Sequence, residues 1–70
     1  EYKTRLQEYA QTKVQSVEYT LVSQSGPDHD KSYVYAVSVD GKKCGEGKGK
    51  SKKTAEQAAA KEACMRLGIK

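Results

Sequence analysis

The chain has 70 residues, 36% of them hydrophobic and 31% charged, with a formal net charge of +4. That is room for one small domain, and no apolar run approaches the ~20 residues of a membrane span or forms a signal-peptide core. Ten residues are Leu, Ile or Val and none is Phe, a content low enough to raise the question of disorder. The modest charge imbalance argues against disorder, and so thin a core suits a binding module better than a catalytic cleft.

Tyr2 to Val14 reads as a helix. At 3.6-residue spacing Tyr2, Leu6, Tyr9 and Ala10 share one face with Lys13, whose stem can snorkel. Thr4, Gln7, Glu8 and Gln11 form a stripe opposite. Solvated faces are more often rich in Lys and Glu, so this stripe reads either as plain solvent-facing surface or as a row of hydrogen-bonding groups. Val17 to Ser25 alternates as a half-buried strand until Val22 and Ser23 break the pattern. Ser25-Gly26-Pro27-Asp28-His29-Asp30 is turn chemistry throughout, longer than a tight hairpin needs. A second strand runs from Lys31 to Val39 with Tyr33, Tyr35, Val37 and Val39 on one face, and Asp40-Gly41 signals a two-residue hairpin. The third strand runs from Lys42 through Cys44 to about Gly49. A long helix follows from Ser51 to Leu67, stopped by Gly68, and Ala55, Ala59, Ala60, Ala63, Cys64 and Leu67 make its flat face. The expected fold is α+β: an αβββα two-layer sandwich, with both helices on one face of a three-stranded antiparallel sheet.

Charge is concentrated. Lys42 to Lys53 holds six lysines against one glutamate, while the rest of the chain is near neutral. A basic focus of this kind suits a polyanion, although a lysine-rich solvated loop would give the same count. Gly45 to Ser51 resembles a phosphate-binding loop only superficially, because Cys44 stands where the first glycine belongs and the sheet is antiparallel. Lys50, Lys52 and Lys53 crowd the start of the last helix, with Ser51 as its N-cap. Cations there oppose the helix dipole, so a sequence serving stability alone would place acids. Free N–H groups beside three lysines make a phosphate site.

His29, between Asp28 and Asp30, lacks a nucleophile partner or a full ligand set for catalysis or metal. It reads as a hydrogen-bonding loop tip or as simple turn chemistry. Cys44 and Cys64 lie 20 positions apart with no CxxC pattern. One disulfide stays open, but two reduced cysteines acting as small hydrophobes is the preferred reading, which favours the cytoplasm.

The run Gly-x-Gly-x-Ser-Lys-Lys-x-Ala-x-x-x-Ala-Ala-x-x-Ala from Gly47 to Ala63 resembles the C-terminal signature of the double-stranded RNA-binding domain. Tyr-Lys-Thr-x-Leu-Gln-Glu-Tyr (Tyr2 to Tyr9) and Gly-Pro-Asp-His (Gly26 to His29) are similar to the copy at the C-terminus of bacterial ribonuclease III. The resemblance covers the whole chain in order. It departs at Cys64, where the family usually has Leu, and at Tyr33 and Tyr35, where Phe is common.

The resemblance implies three contacts to double-stranded RNA. Thr4, Gln7, Glu8 and Gln11 would enter one minor groove, and Pro27, Asp28 and His29 the next. Lys50, Ser51, Lys52 and Lys53 would meet the phosphates of the major groove between them. It implies a monomeric domain that itself cleaves nothing and needs no cofactor, in a parent nuclease that would use Mg and could be a homodimer. Other readings stay open: a double-stranded RNA-binding domain of another RNA-processing or regulatory protein, a protein–protein interaction module, and a catalytic fragment with an unseen metal site. The lysine-rich helix start argues against protein contact as the sole role, and the missing ligand cluster argues against catalysis.

Overall fold

The computed structural model describes residues 1–69. Its elements are α1 (Tyr2–Thr12), β1 (Val17–Ser25), β2 (Ser32–Val39), β3 (Lys42–Gly49) and α2 (Lys52–Leu67). The strands form one antiparallel sheet in the order β1-β2-β3. The α+β, αβββα architecture is therefore the one expected.

Helix α1 stops two residues short of the expected Val14. The N–H of Gln15 reaches back to the Ala10 carbonyl at 2.8 Å and that of Val14 to Gln11 at 3.1 Å. These bonds close a Schellman turn with Val14 in the left-handed position at φ 54°. A β-branched side chain is strained there. Helix α2 ends in the same motif, with Ile69 N–H on the Cys64 carbonyl at 2.9 Å, but places Gly68 (φ 72°) at the left-handed position. Ser51 is the N-cap of α2, as expected, accepting the Thr54 N–H at 3.1 Å, so the helix proper begins at Lys52.

The broken alternation of β1 is a bulge. Leu21 pairs with Tyr35 and Ser23 with Val34, so Val22 is the extra residue and the strand continues to Ser25. A second bulge leaves Cys44 unpaired between Lys43 and Gly45, which lets consecutive Cys44 and Gly45 both be buried. β2 begins at Ser32, one residue later than expected, because Lys31 lies outside the ladder with β1. Asp40 (φ 52°) and Gly41 (φ 79°) form the mirror-image turn that suits a two-residue hairpin.

One core cluster joins Leu6 of α1, Val37 and Val39 of β2, Cys44 of β3, and Ala59, Ala60, Ala63 and Cys64 of α2, so both helices cover the same face of the sheet. Ala10 and Ala55 are also fully buried. Leu67, expected on the packed face of α2, lies exposed in the helix's last turn. Cys44 and Cys64 are buried free thiols.

The closest packing is between α2 and β3. A methyl group built at Gly45 or Gly47 would collide with the α2 backbone at Ala59, and one at Gly49 would lie 2.6 Å from the Ala55 nitrogen. Alternate glycines on one side of a strand therefore let a small-residue helix lie directly on it. Beyond this contact, Glu62 of α2 accepts the Glu46 N–H at 2.9 Å, occupying a donor of β3, an outer strand of the sheet.

Candidate nucleic-acid interface

Thr4, Gln7, Glu8 and Gln11 are all exposed on α1, as the helical spacing requires once Leu6 and Ala10 are buried. Lys13, assigned to the apolar face, is exposed, with its ammonium 5.3 Å from the Tyr9 ring centroid. The four stripe residues line one side of an open groove of about 610 Å³. Lys53 and Gln57 of α2 line the other side, and Tyr19 of β1 also contributes. Lys3 lies 4.8 Å above the Tyr19 ring centroid. Burial pushes the Tyr19 phenol up to about 12, and the Glu56 carboxylate adds to the shift. Its hydroxyl has no hydrogen-bond partner among the described residues.

Pro27, Asp28 and His29 sit at the opposite end of β1, in a fully exposed loop closed by the Asp30 N–H on the Pro27 carbonyl at 2.9 Å. Lys50 lies in the two-residue connection between β3 and α2, ahead of the Ser51 cap. It is therefore not in the first turn of the helix, where sequence reasoning put it with Lys52 and Lys53. Its ammonium instead reaches Asp30 of the loop at 3.0 Å. Lys52 and Lys53 open the helix with no acid in its first turn, and among the described residues neither is in an ion pair. The basic segment thus lies between the two polar regions: Lys50 touches the loop and Lys53 lines the α1 groove.

Sequence reasoning missed the groups that join these parts. Gln57 accepts the N–H groups of Tyr2 and Lys3 at 3.1 and 3.4 Å, and Glu56 holds the Lys3 ammonium at 2.7 Å. Glu1 accepts the Thr4 N–H at 2.6 Å and also the Gln57 amide. The backbone N–H of Thr4, with the Thr4 hydroxyl and the Gln57 amide adding to it, holds the Glu1 carboxyl down at about 2. The one available signal was the Lys53–Gln57 spacing, which puts the two on one face of α2. Among the described residues no group of three or more His, Cys, Asp or Glu could hold a metal ion.

This arrangement has known counterparts. The family model described as double-stranded RNA binding motif matches residues 2–67. Ribonuclease 3 of Caldanaerobacter subterraneus subsp. tengcongensis is 51% identical over 70 residues, covering 99% of this chain and 31% of the relative. Ribonuclease 3 of Streptococcus thermophilus is 51% identical over 69 residues, covering 97% and 30%. The chain therefore spans about a third of the length of these curated relatives. Among solved structures, DRB4 dsRBD2 superposes with a TM-score of 0.69 at 37% identity, over 97% of this chain and 96% of that one. The structure of both DRB4 dsRBDs with their linker gives 0.71 at 38% identity, over 94% and 43%. With its fold, its lysine-led second helix and nearly every residue matched, the chain belongs to the double-stranded RNA binding motif family.

Proposed function

We propose that this chain is the duplex-gripping part of a ribonuclease 3, holding double-stranded RNA through three contacts. Thr4, Gln7, Glu8 and Gln11 meet 2′-hydroxyls and base edges in one minor groove, and Pro27, Asp28 and His29 do so in the next. Lys50, Lys52, Lys53 and the N-terminus of α2 at Ser51 take the phosphates between. A-form RNA hides its bases in a deep major groove and presents its hydroxyls in a shallow minor groove, so hydrogen-bonding side chains and lysines divide the work in this way. The observation that carries the reading is the position of the basic segment, in contact with the loop at Lys50 and with the α1 groove at Lys53.

A single copy supplies all three contacts. The 51% identity to ribonuclease 3 over nearly the whole chain, against 37% to DRB4 dsRBD2, favours a nuclease parent over another RNA-processing protein. Magnesium, which the resemblance implies for nuclease chemistry, would belong to the part of such a parent outside these residues. Two free cysteines fit the reducing cytoplasm.

The test is direct titration of RNA and DNA duplexes of identical sequence, at least about 16 base pairs long, across a salt series. RNA should bind much more tightly than DNA at every salt concentration. Equal affinities would overturn the reading.

A further inference from the structure

The first N–H groups of a helix lack partners within it and are usually satisfied by a side chain just upstream. In α1 the N–H groups of Tyr2 and Lys3 are instead taken by Gln57, which lies in another helix 55 and 54 positions away. The Gln57 amide nitrogen donates to Glu1, which caps the next N–H at Thr4. At 11 residues α1 is shorter than the ~12–15 that are even marginally stable alone in water, and Leu6 and Ala10 are its only buried residues. Leu6 and Ala10, with Tyr2 packed partly buried against the core, seat the helix, and the polar grip at its N-terminus fixes the first turn. Gln57 follows Lys53 by one helical turn, and both line the groove that holds the α1 stripe.

We infer that Gln57 is a positioning residue for RNA recognition: it fixes the first turn of α1, and with it Gln7 and Glu8, at a set distance from the lysines of α2. This rests on the proposed function and adds to it a residue that itself touches no RNA. A neutral amide suits the task. Its oxygen accepts from two backbone donors while its nitrogen holds Glu1, and it adds no charge beside the phosphate site.

The variant Gln57→Leu keeps the size of the side chain and removes its polarity. It should weaken binding to duplex RNA about tenfold, the scale of one or two lost hydrogen bonds, with the salt dependence unchanged because no phosphate contact is lost. Amide hydrogen exchange at Tyr2 and Lys3 should speed up while α2 stays protected. If Gln57→Leu does not fold, Gln57→Asn, one methylene too short to reach, should show the same pattern.

Two backgrounds separate positioning from general stability. In Gln7→Ala/Glu8→Ala, adding Gln57→Leu should cost clearly less than tenfold, since two of the α1 contacts it positions are gone. In Lys52→Ala it should cost the full tenfold. Equal losses in the two backgrounds, wild-type RNA affinity of Gln57→Leu, or unchanged exchange at Tyr2 and Lys3 would each overturn the inference. Wild-type affinity of Gln7→Ala/Glu8→Ala would instead sink the assignment of α1 to the RNA, and the inference with it.

Discussion

Helix α2 lies on the sheet and helix α1 is tied to α2, and the two attachments are made of different material. At the closest part of the α2–β3 contact the fit is backbone against backbone: Gly45, Gly47 and Gly49 meet the helix around Ala55 and Ala59. Between α1 and α2 the contact at the helix start is polar and built from long side chains, with Gln57 on two backbone N–H groups and Glu56 on Lys3. The difference teaches how a small domain divides rigidity. The helix that carries Lys52 and Lys53 is set at a fixed height, while the helix that carries Gln7 and Glu8 is seated by Leu6 and Ala10 and fixed at its start by polar bonds.

The sharpest way to break this contrast is Gly47→Ala, which drives a methyl group into the Ala58–Ala59 backbone. Overpacking against backbone should cost about 3 kcal/mol, a fall in Tm of roughly 12–24 °C for a domain of this size, measured by thermal denaturation. A Tm within a few degrees of wild type would show that the α2–β3 contact yields after all.

The RNA-facing side chains should give smaller effects of two kinds. Glu8→Ala should weaken RNA binding about tenfold, or about 1.4 kcal/mol, and leave the salt slope unchanged, since a charged acceptor for a hydroxyl is lost. Weak DNA binding should hold or improve. Lys53→Ala should weaken both by slightly less at ~0.1 M salt and lower the slope by about 0.9. Tighter RNA binding by Glu8→Ala would mean that α1 faces away from the groove.

The smallest effect is a titration. Tyr19, packed against the core and overlain by Lys3, should ionise near 12, above the ordinary tyrosine value of 10. Because its folded-state pKa is raised, its contribution to stability is complete below pH 10 and is lost as the pH climbs towards 12. An absorbance titration of the five tyrosines should show a step near pH 12 that Tyr19→Phe removes. If Tyr19→Phe leaves the curve near pH 12 unchanged, Tyr19 is not buried as described.

The elements and their order were legible because each carries a local signal: alternation in β2, Asp40-Gly41 at the hairpin, and Ser51 and Gly68 at the ends of α2. The Val22 bulge was visible only as a broken pattern, since an extra residue in one strand can be recognised only against its partner. Leu67 was misplaced because periodicity marks a face but not where the sheet beneath it stops. The glycines of β3 look like a flexible loop or a phosphate cradle until the helix above them is known. Thr4, Gln7, Glu8 and Gln11 could be grouped from spacing alone. Gln57 and the Asp30–Lys50 pair could not, because partners 20 to 55 positions apart leave no periodic trace.

Both outer strands of the sheet, β1 and β3, carry a bulge, at Val22 and at Cys44. A straight outer strand with free N–H and C=O groups is a template on which another molecule's strand can assemble, and a bulge twists that template out of register. On β3 there is a second device: Glu62 already occupies the Glu46 N–H, and exposed Lys42, Lys43 and Lys48 put charge along the strand. The irregularities that cost this sheet ladder bonds therefore also bend both outer strands away from the straight template that edge pairing needs.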